Sequence, residues 1–162
     1  VFVTVEEVRA LAHGLYPKVL TDLGLDKALG AAASRGALPT SVEADGIGRF
    51  PEDAEAAVYF CCLEAMQNAG KHAGADATIC VSVGTDDNGL LSFDVRDDGA
   101  GFDPATAEQG DGFINMRDRL GAFGGALEVT SAPGCGTSVR GTVPSSVGDE
   151  APYGSGDVGT DA

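Results

Sequence analysis

The stretch "LEAMQNAGKHAG", Leu63 to Gly74, constrains this chain more than any other. Wound as a helix at about 100° per residue, it gathers Glu64, Gln67, Asn68, Lys71 and His72 onto one arc of roughly 140°. With Glu64 at zero, Lys71 falls at roughly −20°, Asn68 at roughly +40°, His72 at roughly +80° and Gln67 at roughly −60°. Leu63, Ala65, Met66, Ala69, Gly70 and Ala73 fill the rest of the circumference. Taken alone, the arc reads first as the solvated face of an amphipathic helix, with the polar wall of a site as the alternative. The flanking sequence has to choose between them.

The helix is longer than this stretch. "PEDAEAAVYFCCLEAMQNAGKHA" opens on Pro51, Glu52 and Asp53, residues suited to a helix N-terminus, and runs for about six turns. Residues 1 to 14 also have helical spacing, through Val5, Val8, Leu11 and Ala12, before Gly14 and Pro17 interrupt. "DKALGAAASRGA", from Asp26, reads as another helix, and "TSVEA" as a short strand. "ATICVSVG" and "LLSFDVR" are two strands around "TDDNG", whose Asn88-Gly89 signals a hairpin. "FINMRDRLGAFGG" is helical, with Gly124-Gly125 as its expected C-cap. "ALEVTSA" and "TSVRGTV" form a last strand pair across "PGCG". This order predicts an α/β (α+β) fold, a two-layer sandwich with a mixed, mostly antiparallel sheet backed by three helices. Residues 145–162, without Lys or Arg, read as a disordered acidic tail.

The chain has 162 residues, 43% of them apolar and 22% charged, which suits one domain with a substantial core. Its net charge of −15 repels nucleic acid and anionic membrane surfaces, so no nucleic-acid partner is expected. No apolar run approaches the roughly 20 residues of a membrane span. The opening "VFVTVEEVRA" has neither the basic region nor the cleavage site of a signal peptide. Cys61, Cys62, Cys80 and Cys135 form no Cys-x-x-Cys pair and are expected to be buried free thiols in a reducing compartment.

Three glycine-bearing stretches choose between the two readings of the arc. They are "DDGAG" after a strand, "GDGF" where a loop becomes a helix, and "GCGTS" entering the final strand. In this order behind the polar-arc helix, they resemble the GHKL ATPases: gyrase, heat-shock chaperones, histidine kinases and mismatch-repair proteins. "LEAMQNAGKHAGA" is similar to the N box of sensor histidine kinases, "DDGAGF" and "GDGF" to their glycine boxes, and "GTS" to the Gly-Thr closing the adenine pocket. "HGLYPKVLTDLGLDKAL" resembles the segment that joins dimerisation helices to the ATP domain in kinases serving response regulators with helix-turn-helix outputs.

The resemblance implies a Bergerat-type fold, with about five strands, and ATP held between helices and a mobile lid, here "FDPATAEQ". Asp97 would accept a hydrogen bond from the adenine amine; guanine presents an acceptor there and would be rejected. Gly99 and Gly101 would let the backbone pass close to the base, and Thr137 would complete the adenine contacts. Gly110 and Gly112 would let the chain wrap the phosphates, with N–H groups of Gly112 and Phe113 meeting phosphate oxygens. Phe113 departs from the usual Leu. The lid carries no Lys or Arg, so its closure cannot depend on a lid cation. Asn68 would be the magnesium ligand and Glu64 the group polarising the attacking imidazole, with a metal-site carboxylate as the alternative role for Glu64. Lys71 would offset phosphate charge, and His72 would either bond a phosphate or the lid or stay in solvent.

The division expected is then 1–16 for the end of a dimerisation helix and its joining segment, 17–144 for the ATP-binding domain, and the tail. His13 lies in the joining segment, outside any Arg-x-x-His-Asp-like run, so it does not read as the phosphoacceptor. The implied protein is the cytoplasmic catalytic part of a longer homodimeric kinase, monomeric as a fragment, which phosphorylates a histidine on a missing domain for relay to a response regulator. Whether that parent is membrane-anchored is left open. Two alternatives are an anti-sigma-factor-type serine kinase and a non-catalytic nucleotide-binding module.

Overall fold

The computed structural model describes residues 17–44, 46–107 and 110–144. The helix expected over residues 1–14, His13 and the tail at 145–162 all lie outside the described residues. The elements run α1 (Lys18–Leu23), α2 (Leu25–Ser34), β1 (Thr40–Glu43), α3 (Glu52–His72), β2 (Ile79–Thr85), β3 (Leu90–Asp97), α4 (Asp111–Gly121), β4 (Ala126–Ser131) and β5 (Thr137–Pro144). The strands form one sheet in the order β1-β2-β3-β5-β4. The β1–β2 pair is parallel and the other three are antiparallel, so the sheet is mixed and mostly antiparallel, as the element order predicts.

Alternation makes the sheet two-faced. On β2 and β3, Ile79, Val81, Val83, Leu91, Phe93 and Val95 are buried on one face. Their neighbours Ser82, Ser92, Asp94 and Arg96 stand on the other. There Asp94 accepts hydrogen bonds from Ser138 Oγ (2.8 Å), Arg96 Nε (2.7 Å) and Arg140 Nη2 (3.1 Å), which ties β3 to β5. Burial pushes the Asp94 carboxyl up, but these donors overcome it and hold it below its ordinary value.

Three helices, α2, α3 and α4, lie against the apolar face, while α1 packs on α2 and α3 behind them. The sequence pattern does not announce α1, a six-residue helix in what reads as a joining segment. Its anchor is Leu20, which is buried beside Leu25 and Leu29 of α2. The first half of α3 is enclosed nearly all round, through Ala54 to Tyr59, Cys61 and Cys62. Buried in this half is Glu55, whose oxygens take Arg49 Nε at 3.1 Å and Nη2 at 3.0 Å. Arg49 also donates to the Thr21 carbonyl at 2.9 Å, so one guanidinium ties the end of α1 to the start of α3.

Two local expectations change. Helix α4 stops at Gly121 rather than at Gly124-Gly125, because Phe123 and Gly125 N–H groups both turn back onto the Leu120 carbonyl, at 3.0 and 2.8 Å. Gly124 then supplies the left-handed residue of that turn, at φ 73°. The four thiols are free, but only Cys61 and Cys62 are buried; Cys80 is half-buried and Cys135 exposed in the β4–β5 turn. Burial, opposed by Arg119, pushes the Cys61 thiol up to about 12, and burial raises Cys62 well above its ordinary value. Neither is a nucleophile.

Candidate functional site

A cavity of about 510 Å³ opens between the second half of α3, the start of α4 and the apolar face of the sheet. It exists because α3 turns alanines toward the sheet there. Ala65, Ala69 and Ala73 recur every four residues along one stripe, and all three line the space. Larger side chains would fill it. Val95 of β3 and Val139 of β5 make its floor, directly paired across the two strands.

Two residues further along the register, Asp97 pairs with Thr137 on the same face of the sheet. Residues forty positions apart in the chain thus become neighbours at the cavity's end. Asp97 Oδ1 accepts the Gly99 N–H at 2.9 Å, and Oδ2 takes no hydrogen bond from any described residue. Ser131, which the sequence reading did not single out, orders the Thr137 side. Its Oγ accepts the Phe102 N–H (2.9 Å) and donates to the Gly136 carbonyl (2.9 Å). With the one Ser131 proton spent on Gly136, the 2.9 Å contact between Ser131 and Thr137 hydroxyls needs the Thr137 proton. Thr137 is left with lone pairs, so both polar groups at this end accept. Ser131 carries no motif signal beyond being the register partner of Thr137.

The "DDGAG" loop is clamped rather than free. Ala100 N–H bonds the Ala73 carbonyl at the end of α3 (2.9 Å), and its own carbonyl takes Gly134 N–H (2.7 Å). Asp98 accepts Thr78 N–H (2.6 Å) and hydroxyl (3.0 Å), bonds that hold its carboxyl below the ordinary range. Gly99 does not line the cavity: a Cβ there would run into Ala73, at 2.6 Å from its Cα, so its bareness serves packing against α3. Gly101 does line the cavity and sits at φ 61°, where a Cβ would strike the Ala132 carbonyl.

Of the polar arc, Asn68 and His72 face the cavity. The Asn68 amide bonds no described residue and is half-buried. A neutral oxygen presented without a protein partner suits one place in the shell of a hard divalent cation. Among the described residues no group of three or more His, Cys, Asp or Glu could hold a metal by itself. The residues therefore fit an ion that arrives with its ligand, not one caged by protein. Lys71 and Gln67 are exposed and off the cavity wall. Glu64 is also off the wall, and its carboxylate lies against Gly112 of α4.

Gly110, Gly112 and Phe113 all line the cavity at the start of α4. Gly110 is the N-cap, and no side chain caps this helix end. The Phe113 N–H makes a long bond, 3.3 Å, to the Gly110 carbonyl, so this donor has little to lose by changing partner. Phe113 stacks at a tilt on Phe102, ring centroids 6.2 Å apart. The pair joins the two ends of the β3–α4 connection across the cavity mouth. In that connection Asp103 makes a turn, its Oδ1 accepting Ala105 N–H and its carbonyl Ala107 N–H, each at 2.9 Å.

Residues 53–147 match the family of histidine kinase-, DNA gyrase B- and HSP90-like ATPases. The chain is 36% identical to the sensor histidine kinase MctS of Rhizobium johnstonii over 88% of its own length and 32% of that protein's. It is 31% identical to the signal transduction histidine-protein kinase/phosphatase DegS of Brevibacillus brevis, over 85% of this chain and 37% of the relative. It thus spans about a third of the length of these curated relatives. Among solved structures, the blue-light activated histidine kinase of Erythrobacter litoralis EL346 superposes with a TM-score of 0.66 at 27% identity, covering 75% of this chain and 42% of that one. With more than half of its residues inside the matched region, and with the sheet, helices and cavity described above, the chain belongs to the histidine kinase-, DNA gyrase B- and HSP90-like ATPase family.

Proposed function

We propose that this chain is the ATP-binding catalytic domain of a sensor histidine kinase, and that it hands the γ-phosphoryl group of ATP to a histidine on a dimerisation domain outside this sequence, for relay to a response regulator. The observation that carries the reading is the pairing of Asp97 with Thr137 at the end of a cavity that Asn68 also enters. A base lying on Val95 and Val139 meets two acceptors there, Asp97 Oδ2 and the Thr137 hydroxyl. An exocyclic amine satisfies them; the guanine carbonyl in that place leaves them unpaired and repelled.

At the other end of the cavity, the bare N-terminus of α4 offers N–H groups and the positive end of a helix dipole to the phosphates, across Gly110, Gly112 and Phe113. His72 lines the same cavity and would bond a phosphate, and the flexible stem of exposed Lys71 can swing a charge inward. Magnesium bound with the nucleotide would screen phosphate charge at Asn68, the more needed in a chain of net charge −15. Glu64, one helical turn before Asn68, would orient the attacking imidazole and draw on its proton. The arrangement favours a phosphoryl donor over a passive nucleotide sensor because Glu64 has no part in holding the base.

Titration of ATP and GTP onto the parent chain and Asp97→Asn tests the reading. ATP binding should exceed GTP binding in the parent and fall about 10- to 100-fold in Asp97→Asn, the worth of one charged hydrogen bond. Equal affinity for both nucleotides in the parent would overturn the assignment of the base site.

A further inference from the structure

We infer that Gly112 is a positioning residue for Glu64: its missing Cβ is the seat in which the Glu64 carboxylate rests against the start of α4. The inference rests on the kinase reading for what the seat is used for, but not for its existence.

A glycine here asks for a reason. Gly112 lies in the first turn of α4, and its φ is not among the positive ones, so no backbone conformation demands it. Glycine is among the poorest helix formers, and alanine would serve this turn better. The three atoms nearest a would-be Cβ all belong to one side chain. A Cβ on Gly112 would overlap Glu64 Oε1 and come within 3.2 Å of Cδ and 3.3 Å of Cγ. Gly110, two residues earlier in the same motif, has nothing within 4 Å of its own would-be Cβ. The two glycines of one box therefore differ: one is open space facing the cavity, the other is filled by a carboxylate from the neighbouring helix.

The seat also has the right electrostatics. Helix α4 has no side-chain cap, and an anion from α3 against its first turn meets the positive end of its dipole. Glu64 is thereby held between the two helices, a turn from Asn68, instead of waving in solvent. Its tip is the mobile end of a flexible side chain. A methyl group at 112 displaces that tip without breaking the fold.

Two measurements on the chain test this. The first is a thermal double-mutant cycle of Gly112→Ala with Glu64→Ala. Alanine at 112 should raise the melting temperature more in the Glu64→Ala background than in the parent, where the helix gain is offset by the displaced carboxylate. Additive effects would overturn the inference, whatever the chain's activity. The second supplies the dimerisation and phosphoacceptor domain of the full-length protein in trans. With ATP saturating for each variant, Gly112→Ala should lose at least about ten-fold in the rate of transfer, and the shorter carboxylate of Gly112→Ala/Glu64→Asp should recover part of that loss. Transfer at the parental rate under saturating ATP, or no recovery with the shorter carboxylate, would overturn it. A parent chain that binds ATP without transferring phosphate would instead sink the kinase reading, while the thermal cycle still decides whether the seat exists.

Discussion

Single side chains decide the chemistry of this site because the sheet supplies few of them. The floor is valine, the α3 stripe is alanine, and among the described residues only Asp97, Thr137, Asn68 and His72 bring polar groups to the wall from regular elements. Each can be separated from the others by experiment. Asn68→Ala should leave ATP binding in the absence of magnesium nearly unchanged and abolish its enhancement by the metal, read by titration with and without the cation. Glu64→Gln should keep ATP affinity and reduce transfer to a supplied acceptor domain by at least about 100-fold, in the range of general-base contributions. Parental transfer by that variant would assign Glu64 elsewhere. Ser131 belongs at this scale as well. Ser131→Ala leaves the Phe102 N–H and the Gly136 carbonyl without their partner and frees the Thr137 proton, so it should cost about 1–3 kcal/mol of stability in denaturant titration and narrow the preference for ATP over GTP.

The elements matter through how closely they approach one another. Helix α3 is the axis: its first half is locked by Glu55 and Arg49 to α1, and its last residue, through the Ala73 cap, receives the Ala100 N–H of the glycine loop. Gly99→Ala should therefore act on this junction, not on a ligand. The new methyl meets backbone, which cannot swing aside, so a loss of about 1–3 kcal/mol is expected in chemical denaturation, with ATP affinity falling only as the loop shifts. The same approach argument explains Arg49. Glu55 has a side chain 2% exposed while that of Arg49 is 51% exposed, so the carboxylate depends on the arginine more than the reverse. Arg49→Ala should lower the melting temperature, and the double variant Arg49→Ala/Glu55→Gln should restore part of it by removing the stranded charge.

Over the whole molecule, charge sets the response to acid. A net charge of −15 means that mild acidification relieves self-repulsion, and stability should rise as the pH drops from 7 toward about 5. Asp94 works in the other direction. Its carboxyl is held below its ordinary value, so its contribution is complete above an unfolded value of about 3.9 and is lost as the pH falls through the lower folded one. Asp98, held low by Thr78, has the same sign. Thermal scans should pass through a maximum and fall steeply below about pH 4. Asp94→Asn should flatten the acid limb, and an unchanged limb would show that the β3–β5 carboxylate contributes nothing.

The amino-acid sequence by itself determined the elements that carry periodicity or turn chemistry. The six-turn helix with its polar arc, the Asn88-Gly89 hairpin and the final strand pair are each written within a few neighbouring residues, where local sterics and alternation act. The glycine boxes are legible for the same reason, since a bare Cα is visible whatever it faces. What each glycine faces is a tertiary fact. Gly99 meets Ala73, Gly101 meets Ala132 and Gly112 meets Glu64, contacts between residues far apart in the chain that no spacing rule encodes. The same holds for Ser131 behind Thr137, for Arg49 on Glu55, and for α1, whose six residues are too few to sustain a helix without Leu20 buried against α2. The exposure of Cys135 and the early stop of α4 were likewise decided by the turns that close around them. Local pattern set which segments fold into helix and strand; the register of β3 against β5 and the packing of α3 on α4 set which of their side chains meet.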